Sequence, residues 1–169
     1  DGARCGSVVV TRGRSCDLGC GGDAIVSNAP ILVTGATGYT GRHLVKALHG
    51  AGHRLRLLTR STSDTGGLPQ SAERVEADLE QPETLGDALR GVRTVYHLAH
   101  IRFGEAVVRS LDPNVERLVA VSSQRAVSKV PSTSVDEVRA GEAAVTQSPA
   151  PWTILRPSMI FGPGDDRNI

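Results

Sequence analysis

From Pro30 onward, short apolar runs alternate with segments whose apolar residues recur every three or four positions. The runs ILVTG (31–35), RLRLLTR (54–60), RVEAD (74–78), TVYHLA (94–99), ERLVAVSS (116–123) and WTILRP (152–157) have the length and β-branched content of strands. Between them the spacing predicts helices over 39–50, 82–90, 102–111 and 134–147, and a Gly-, Ser- and Pro-bearing loop over 61–73. Strand alternating with helix demands a parallel sheet covered on both faces. Right-handed crossovers then order it 3-2-1-4-5-6, a doubly wound α/β fold, and residues 30–169 are expected to form it as one domain. Residues 1–29 hold one β-branched run, SVVVT at 7–11, and otherwise no sustained period, so they are expected to be a poorly ordered leader.

Composition narrows the classes. A chain of 169 residues, 39% of them apolar, can bury an ordinary core. Nineteen basic and eighteen acidic residues, dispersed along the chain, leave a net charge of +1, and neither nucleic acid nor an anionic membrane surface is expected as a partner. No run approaches the about 18 apolar residues of a membrane span, and the N-terminus has no apolar signal core, so the expected location is the cytoplasm. Cys5, Cys16 and Cys20 are too few for a zinc site on their own, and the first histidine is His43; free thiols and no metal are expected. A chain that begins at Asp1 and has Met159 as its sole methionine is expected to be processed or partial.

Candidate chemistry begins where the first apolar run meets VTGATGYTG. Gly35, Gly38 and Gly41 follow a strand and open a helix with the spacing G-x-x-G-x-x-G. The first permits a tight turn, the second lets a pyrophosphate approach the backbone, and the third lets helix and strand pack closely. Unpaired N–H groups at the helix start then face the anion. Strand, triplet, helix and second strand in this order predict dinucleotide binding, with Thr37, Tyr39 and Thr40 completing the loop. At the end of the second strand an acidic residue accepts hydrogen bonds from the ribose 2′-hydroxyl of NAD(H). Here the sequence reads TRSTS, and the Arg60 guanidinium suits a 2′-phosphate, with Ser61 and Thr62 as hydroxyl donors. NADP(H) is favoured and NAD(H) stays possible, since an arginine at a strand exit is also an ordinary solvated residue.

Taken together, VTGATGYTG, EADLEQPETL, VYHLAH, LVAVSS and WTILRPSMIFGPG resemble the short-chain dehydrogenase/reductase superfamily. Within it they resemble the extended and atypical branch, the NAD-dependent epimerase/dehydratase and NmrA-like proteins with their Rossmann fold. The resemblance implies that Asp78 bonds the adenine amino group, with Leu79 beside the ring, although a turn carboxylate fits Asp78 as well. It further implies that Leu98, Ala99 and His100 line the ribose and phosphate path. Ser122 and Ser123 close the fifth strand, where the superfamily keeps a hydroxyl that bonds the substrate oxygen, and Ser123 is the candidate catalytic residue. A serine at a strand end is equally common turn chemistry. Arg156, Pro157 and Ser158 match the segment that passes near the nicotinamide.

The same resemblance exposes a gap. The superfamily's acid/base pair is Tyr-x-x-x-Lys on the helix after the fifth strand, but the matching segment VDEVR puts Val135 at the tyrosine and Arg139 at the lysine. The smaller C-terminal substrate domain that usually follows ILRP is expected to be absent. The expectation is therefore a cofactor domain of an oxidoreductase or epimerase-like protein, acting on an unknown small molecule and able to form homo-oligomers. The alternatives are a non-catalytic NADP(H) sensor of NmrA-like type, or a truncated inactive fragment.

Overall fold

The computed structural model describes residues 8–12 and 29–160. Each apolar run becomes a strand: β2 (Ile31–Thr34), β3 (Leu55–Thr59), β4 (Glu73–Glu76), β5 (Thr94–His97), β6 (Arg117–Val121) and β7 (Trp152–Pro157). These six are parallel, and with β1 (Val8–Arg12) they form one sheet in the order β1-β7-β6-β5-β2-β3-β4. Counted among the parallel strands alone, this is the expected order 3-2-1-4-5-6.

The helices are α1 (Tyr39–Gly50), α2 (Leu85–Leu89), α3 (Gly104–Arg109) and α4 (Thr133–Thr146). The helices expected over 82–90 and 102–111 each begin as a tighter 3-10 turn, Pro82–Thr84 and Ile101–Phe103. Pro82 sits at the first position of its turn, where a missing N–H costs no bond.

Adjacent residues of one strand feed opposite cores, as the period of two requires. Leu32 packs with Leu58, Val95, Leu118 and Ile154 on the face covered by α2, α3 and α4. Its neighbour Val33 packs with Leu55, Leu57 and the α1 residue Val45 on the other. Each such side chain is fully or nearly fully buried, worth about 1.5–3 kcal/mol of transfer free energy.

The stretch read as an irregular leader contributes a strand. β1 lies antiparallel to β7, with Val8 opposite Pro157 and Thr11 opposite Ile154, and so covers what would otherwise be a bare sheet edge. Residues 1–7 and 13–28, with all three cysteines, lie outside the described residues. An ion pair secures this side of the fold. Glu142 of α4, only 6% exposed, accepts from Arg156 of β7 in a two-point contact, Nε to Oε1 at 2.7 Å and Nη2 to Oε2 at 2.6 Å. Arg156 Nη1 donates to Thr11 Oγ1 at 3.0 Å, so one guanidinium links helix, parallel sheet and edge strand. The hydrogen bonds to Glu142 raise the Arg156 pKa, outweighing the opposing effect of its burial.

Removing one partner of a buried pair strands the other charge, so Glu142→Ala is expected to cost about 3–5 kcal/mol in urea-melt stability. The double replacement Glu142→Leu with Arg156→Met is expected to cost much less, because no uncompensated charge is left behind.

Candidate functional site

At the end of β2 the chain turns through Gly35 at φ +68°, a conformation that side chains disfavour. A Cβ there would lie 2.6 Å from the Ala99 nitrogen, so the turn is pressed against the end of β5. The Gly38 N–H donates to the Gly35 carbonyl at 3.1 Å and closes the loop. At Gly41 a Cβ would come within 2.0 Å of the same carbonyl and 2.8 Å of Ala36 Cα, which is how closely α1 starts over β2. Gly38 is different: it is exposed, and a Cβ would meet nothing within 4 Å except the Gly35 oxygen at 3.3 Å. It is the open side of the cradle. Gly38 also caps α1 without any side-chain hydrogen bond, and a helix start of this kind suits an anion.

A cleft of about 260 Å³ opens beside this loop, at the C-terminal ends of the central strands. It brings together Gly35, Thr37, Arg60, Asp78, Leu79, Ala99 and His100 from the residues singled out in the sequence. It adds Leu58, Ser63, Glu80, Arg102 and Phe103, which the sequence reading passed over. Arg60 and Ser63 are held in one turn, the Arg60 N–H donating to Ser63 Oγ at 3.0 Å and the Ser63 N–H to the Arg60 carbonyl at 2.9 Å. Ser63, rather than Ser61, is thus the hydroxyl at the cleft wall. Asp78 lines the cleft, and one of its carboxylate oxygens accepts the Glu80 N–H at 3.0 Å, as a turn carboxylate does. Arg102 forms the rim, bonded to Glu80 at 2.9 Å and lying 4.5 Å over the Phe103 ring.

Other expected residues fall outside the cleft lining. Tyr39, Thr40 and Gly41 lie in the first turn of α1, and the Tyr39 ring meets His43 edge to face. Leu98 packs against the core on the α1 face. Pro157 ends β7, half-buried. Ser122 is buried with its Oγ unpartnered, whereas Ser123 Oγ accepts the Arg125 N–H at 3.2 Å, using a lone pair and keeping its proton available. Val135 is buried in the core at 3% exposure. Arg139 donates to the carbonyls of Ala126 at 3.0 Å and Ser128 at 2.7 Å, tying α4 to the loop after β6.

His97 sits fully buried beneath the cleft. Its Nδ1 lies 2.8 Å from Thr34 Oγ1, and its Nε2 has no partner in hydrogen-bond geometry. Burial pushes its pKa from 6.5 down to about 4, against a weaker upward pull from the His100 backbone. A second depression of the same volume, lined by residues including Pro30, His49, His53 and Glu73, opens at the opposite ends of the strands, away from the glycine loop. Among the described residues no group of three potential ligands could hold a metal ion, and no helix is long and apolar enough to cross a membrane.

Comparison with known proteins agrees with this geometry. Residues 35–167 match a family model described as NAD(P)H-binding. The chain is 31% identical to a ceramide reductase of Caulobacter vibrioides over 154 residues, which covers 82% of this chain and 49% of that protein. A short-chain dehydrogenase/reductase superfamily protein from Agrobacterium tumefaciens with bound NAD is 26% identical, with a TM-score of 0.54 over 68% of this chain and 43% of that one. The Citrobacter sp. triphenylmethane reductase complexed with NADP(H) shares the fold at a TM-score of 0.61, 23% identity and coverage of 73% and 47%. The chain thus spans about half the length of these relatives.

Two measurements probe the site. Gly38→Val puts branched carbon into the open side of the cradle, so affinity for both NADPH and NADH is expected to fall by at least ~10-fold, for about 1 kcal/mol of stability lost at the cap. His97 titrates near 6.5 when unfolded but only near 4 when folded, so the unfolded state binds more protons between those values. The stability it protects is present above pH 6.5 and lost as pH falls to 4, by on the order of 3 kcal/mol. Urea melts of wild type and His97→Leu across that window should therefore diverge, with the wild type the more pH-sensitive.

Proposed function

We propose, from the premise that the chain belongs to the NAD(P)H-binding family, that it is the NADP(H)-preferring cofactor domain of a short-chain dehydrogenase/reductase-type enzyme. The enzyme would reduce a carbonyl carbon or oxidise the corresponding hydroxyl carbon. The observation that carries the preference is the end of β3, where Arg60 and Ser63 stand together at the cleft wall. The carboxylates that line the cleft, Asp78 and Glu80, both follow β4 instead. A guanidinium and a hydroxyl suit a 2′-phosphate. The guanidinium has no acceptor, and the Ser63 hydroxyl, already accepting the Arg60 N–H, is a weaker acceptor than the carboxylate that a free 2′-hydroxyl prefers.

The residues present fit the cofactor. The uncapped N–H groups of α1 and the open face of Gly38 suit a pyrophosphate, and Asp78 with Leu79 suits an adenine. The nicotinamide, when bound, supplies or accepts the hydride. Ser123 holds a hydroxyl proton that can polarise a substrate oxygen, since its lone pair is engaged by Arg125. The names of two similar proteins, ceramide reductase and triphenylmethane reductase, support a reductive direction.

A second reading is a cofactor sensor without turnover. It is favoured by Val135, which has no proton to give and is buried, and by Arg139, whose guanidinium is spent on the Ala126 and Ser128 carbonyls.

Calorimetric titration of the 169-residue chain with NADPH and with NADH tests the preference. NADPH is expected to bind at least ~10-fold tighter, a difference near 1.4 kcal/mol, and Arg60→Ala is expected to erase most of it. Equal losses for both cofactors would remove the 2′-phosphate assignment. Oxidation of NADPH that depends on an added carbonyl compound supports the enzyme; tight binding with no turnover supports the sensor.

A further inference from the structure

Arg42 stands in the first turn of α1, where a cation opposes the helix dipole and where that turn carries no acidic residue. Its side chain explains the placement. Nε donates to the Thr37 carbonyl at 3.0 Å, within the glycine loop. Nη2 donates to the Asp64 carbonyl at 2.9 Å and to the Asp64 carboxylate at 3.1 Å, and Nη1 donates to the Gly66 carbonyl. Asp64 is fixed in turn, its other carboxylate oxygen accepting the Gly66 N–H at 2.9 Å. One planar fork therefore staples the loop after β3 to the loop after β2. The residues that face the cleft from these two loops are Gly35 and Thr37 on one side and Arg60 and Ser63 on the other. Arg42 is not among the cleft-lining residues; it bonds the Thr37 backbone and, next to Ser63 in the chain, Asp64 and Gly66.

We propose that Arg42 is a positioning residue for cofactor choice: by clamping residues 64–66 to Thr37, it fixes the adjoining turn in which Arg60 and Ser63 meet a 2′-phosphate. The inference rests on the NADP(H) reading above and extends it from the residues that touch the phosphate to the one that places them. Farther along the loop between β3 and β4, Leu68 and Ala72 pack in the core and Ser71 meets His49 of α1. Without the clamp, however, residues 60–66 keep only their own short turns, and Arg60, exposed on a long side chain, samples many orientations. A cofactor lacking the 2′-phosphate makes no demand on that turn, so it should register only the smaller effect of losing the bond to Thr37.

The test is the ratio of NADPH to NADH affinity, measured by calorimetry on the full chain for wild type, Arg42→Ala, Arg42→Lys, Arg60→Ala and the Arg42→Ala/Arg60→Ala double variant. The ratio is taken on one preparation, so it does not depend on the fraction folded. Arg42→Ala is expected to weaken NADPH binding about 10-fold and NADH binding less than about 3-fold, in keeping with the loss of charge-assisted hydrogen bonds. Arg42→Lys keeps the charge but loses the fork, and should lie nearer to Ala than to wild type. In the Arg60→Ala background, Arg42→Ala should leave the ratio unchanged, the mark of two residues acting as one unit. Hydrogen exchange of the amides at 61–68 should also quicken in Arg42→Ala. Equal losses for both cofactors, full rescue by lysine, or additive effects with Arg60→Ala would each overturn the proposal. If Arg60→Ala removes the preference while Arg42→Ala leaves it intact, the positioning role alone falls. If wild type shows no preference and Arg60→Ala changes nothing, the NADP(H) reading falls and this inference falls with it.

Discussion

The architecture of the cleft depends on a side chain that is missing. With any residue larger than glycine at position 41, α1 would have to withdraw from the Gly35 carbonyl, which a Cβ would approach to 2.0 Å. That contact sets where the helix starts relative to β2, and Gly35 in turn presses on Ala99 at the end of β5. Glycine loop, β2 and β5 are therefore one tightly packed unit. β2 and β5 are also the strands between which the chain order of the sheet reverses, so the helices that follow them lie on opposite faces and leave a crevice at their C-terminal ends. The position of the binding cleft is thus a result of sheet order and one close contact, before any ligand-facing side chain is considered.

What was legible in the sequence was whatever repeats. Six strands and the extents of α1 and α4 were legible, because central strands such as β2, buried on both faces, read as apolar runs and α1 carries a clear apolar stripe. The largely exposed edge strand β4 was read from the strand–helix alternation. The glycine triplet was legible for the same kind of reason, since its three positions meet three different constraints at fixed spacing. β1 was not, because SVVVT is too short to show a period and its partner strand lies far along the chain. The Glu142–Arg156 pair was hidden as well: a glutamate on an amphipathic helix reads as solvated, and only the packing of α4 on β7 buries it. At the cleft, Arg60 was found by its place at the end of a strand, but the choice of Ser63 over Ser61 depends on how the turn closes. Arg42 was invisible because it breaks the local rule for charges at helix starts, and its four acceptors lie in two separate loops.

Binding and chemistry make unequal demands on this fold. The binding features are backbone features: a helix start without a side-chain cap, a left-handed turn at Gly35, and the open face of Gly38. They cannot be lost without disturbing β2 and α1. The positions at which the resemblance leads one to expect an acid/base pair are side chains on α4, and both are engaged in holding the fold together. Val135 fills core volume, and Arg139 fastens the loop that begins at Ser123. The interactions that stabilise α4 therefore use the two positions where the acid/base pair is expected.

This separation gives the cleft's charges a clear meaning. Arg102 is matched by Glu80 at 2.9 Å, and Asp78 is occupied in a backbone turn. His97, directly beneath, is held neutral by burial at physiological pH. The neighbouring Arg42 spends its guanidinium on carbonyls and Asp64. Arg60 differs from these: its backbone is fixed by Ser63, while its side chain is exposed at the wall. A cationic side chain anchored only at its backbone, near an uncapped helix start, is the feature on which the proposed preference for a ligand with two separate phosphate groups rests.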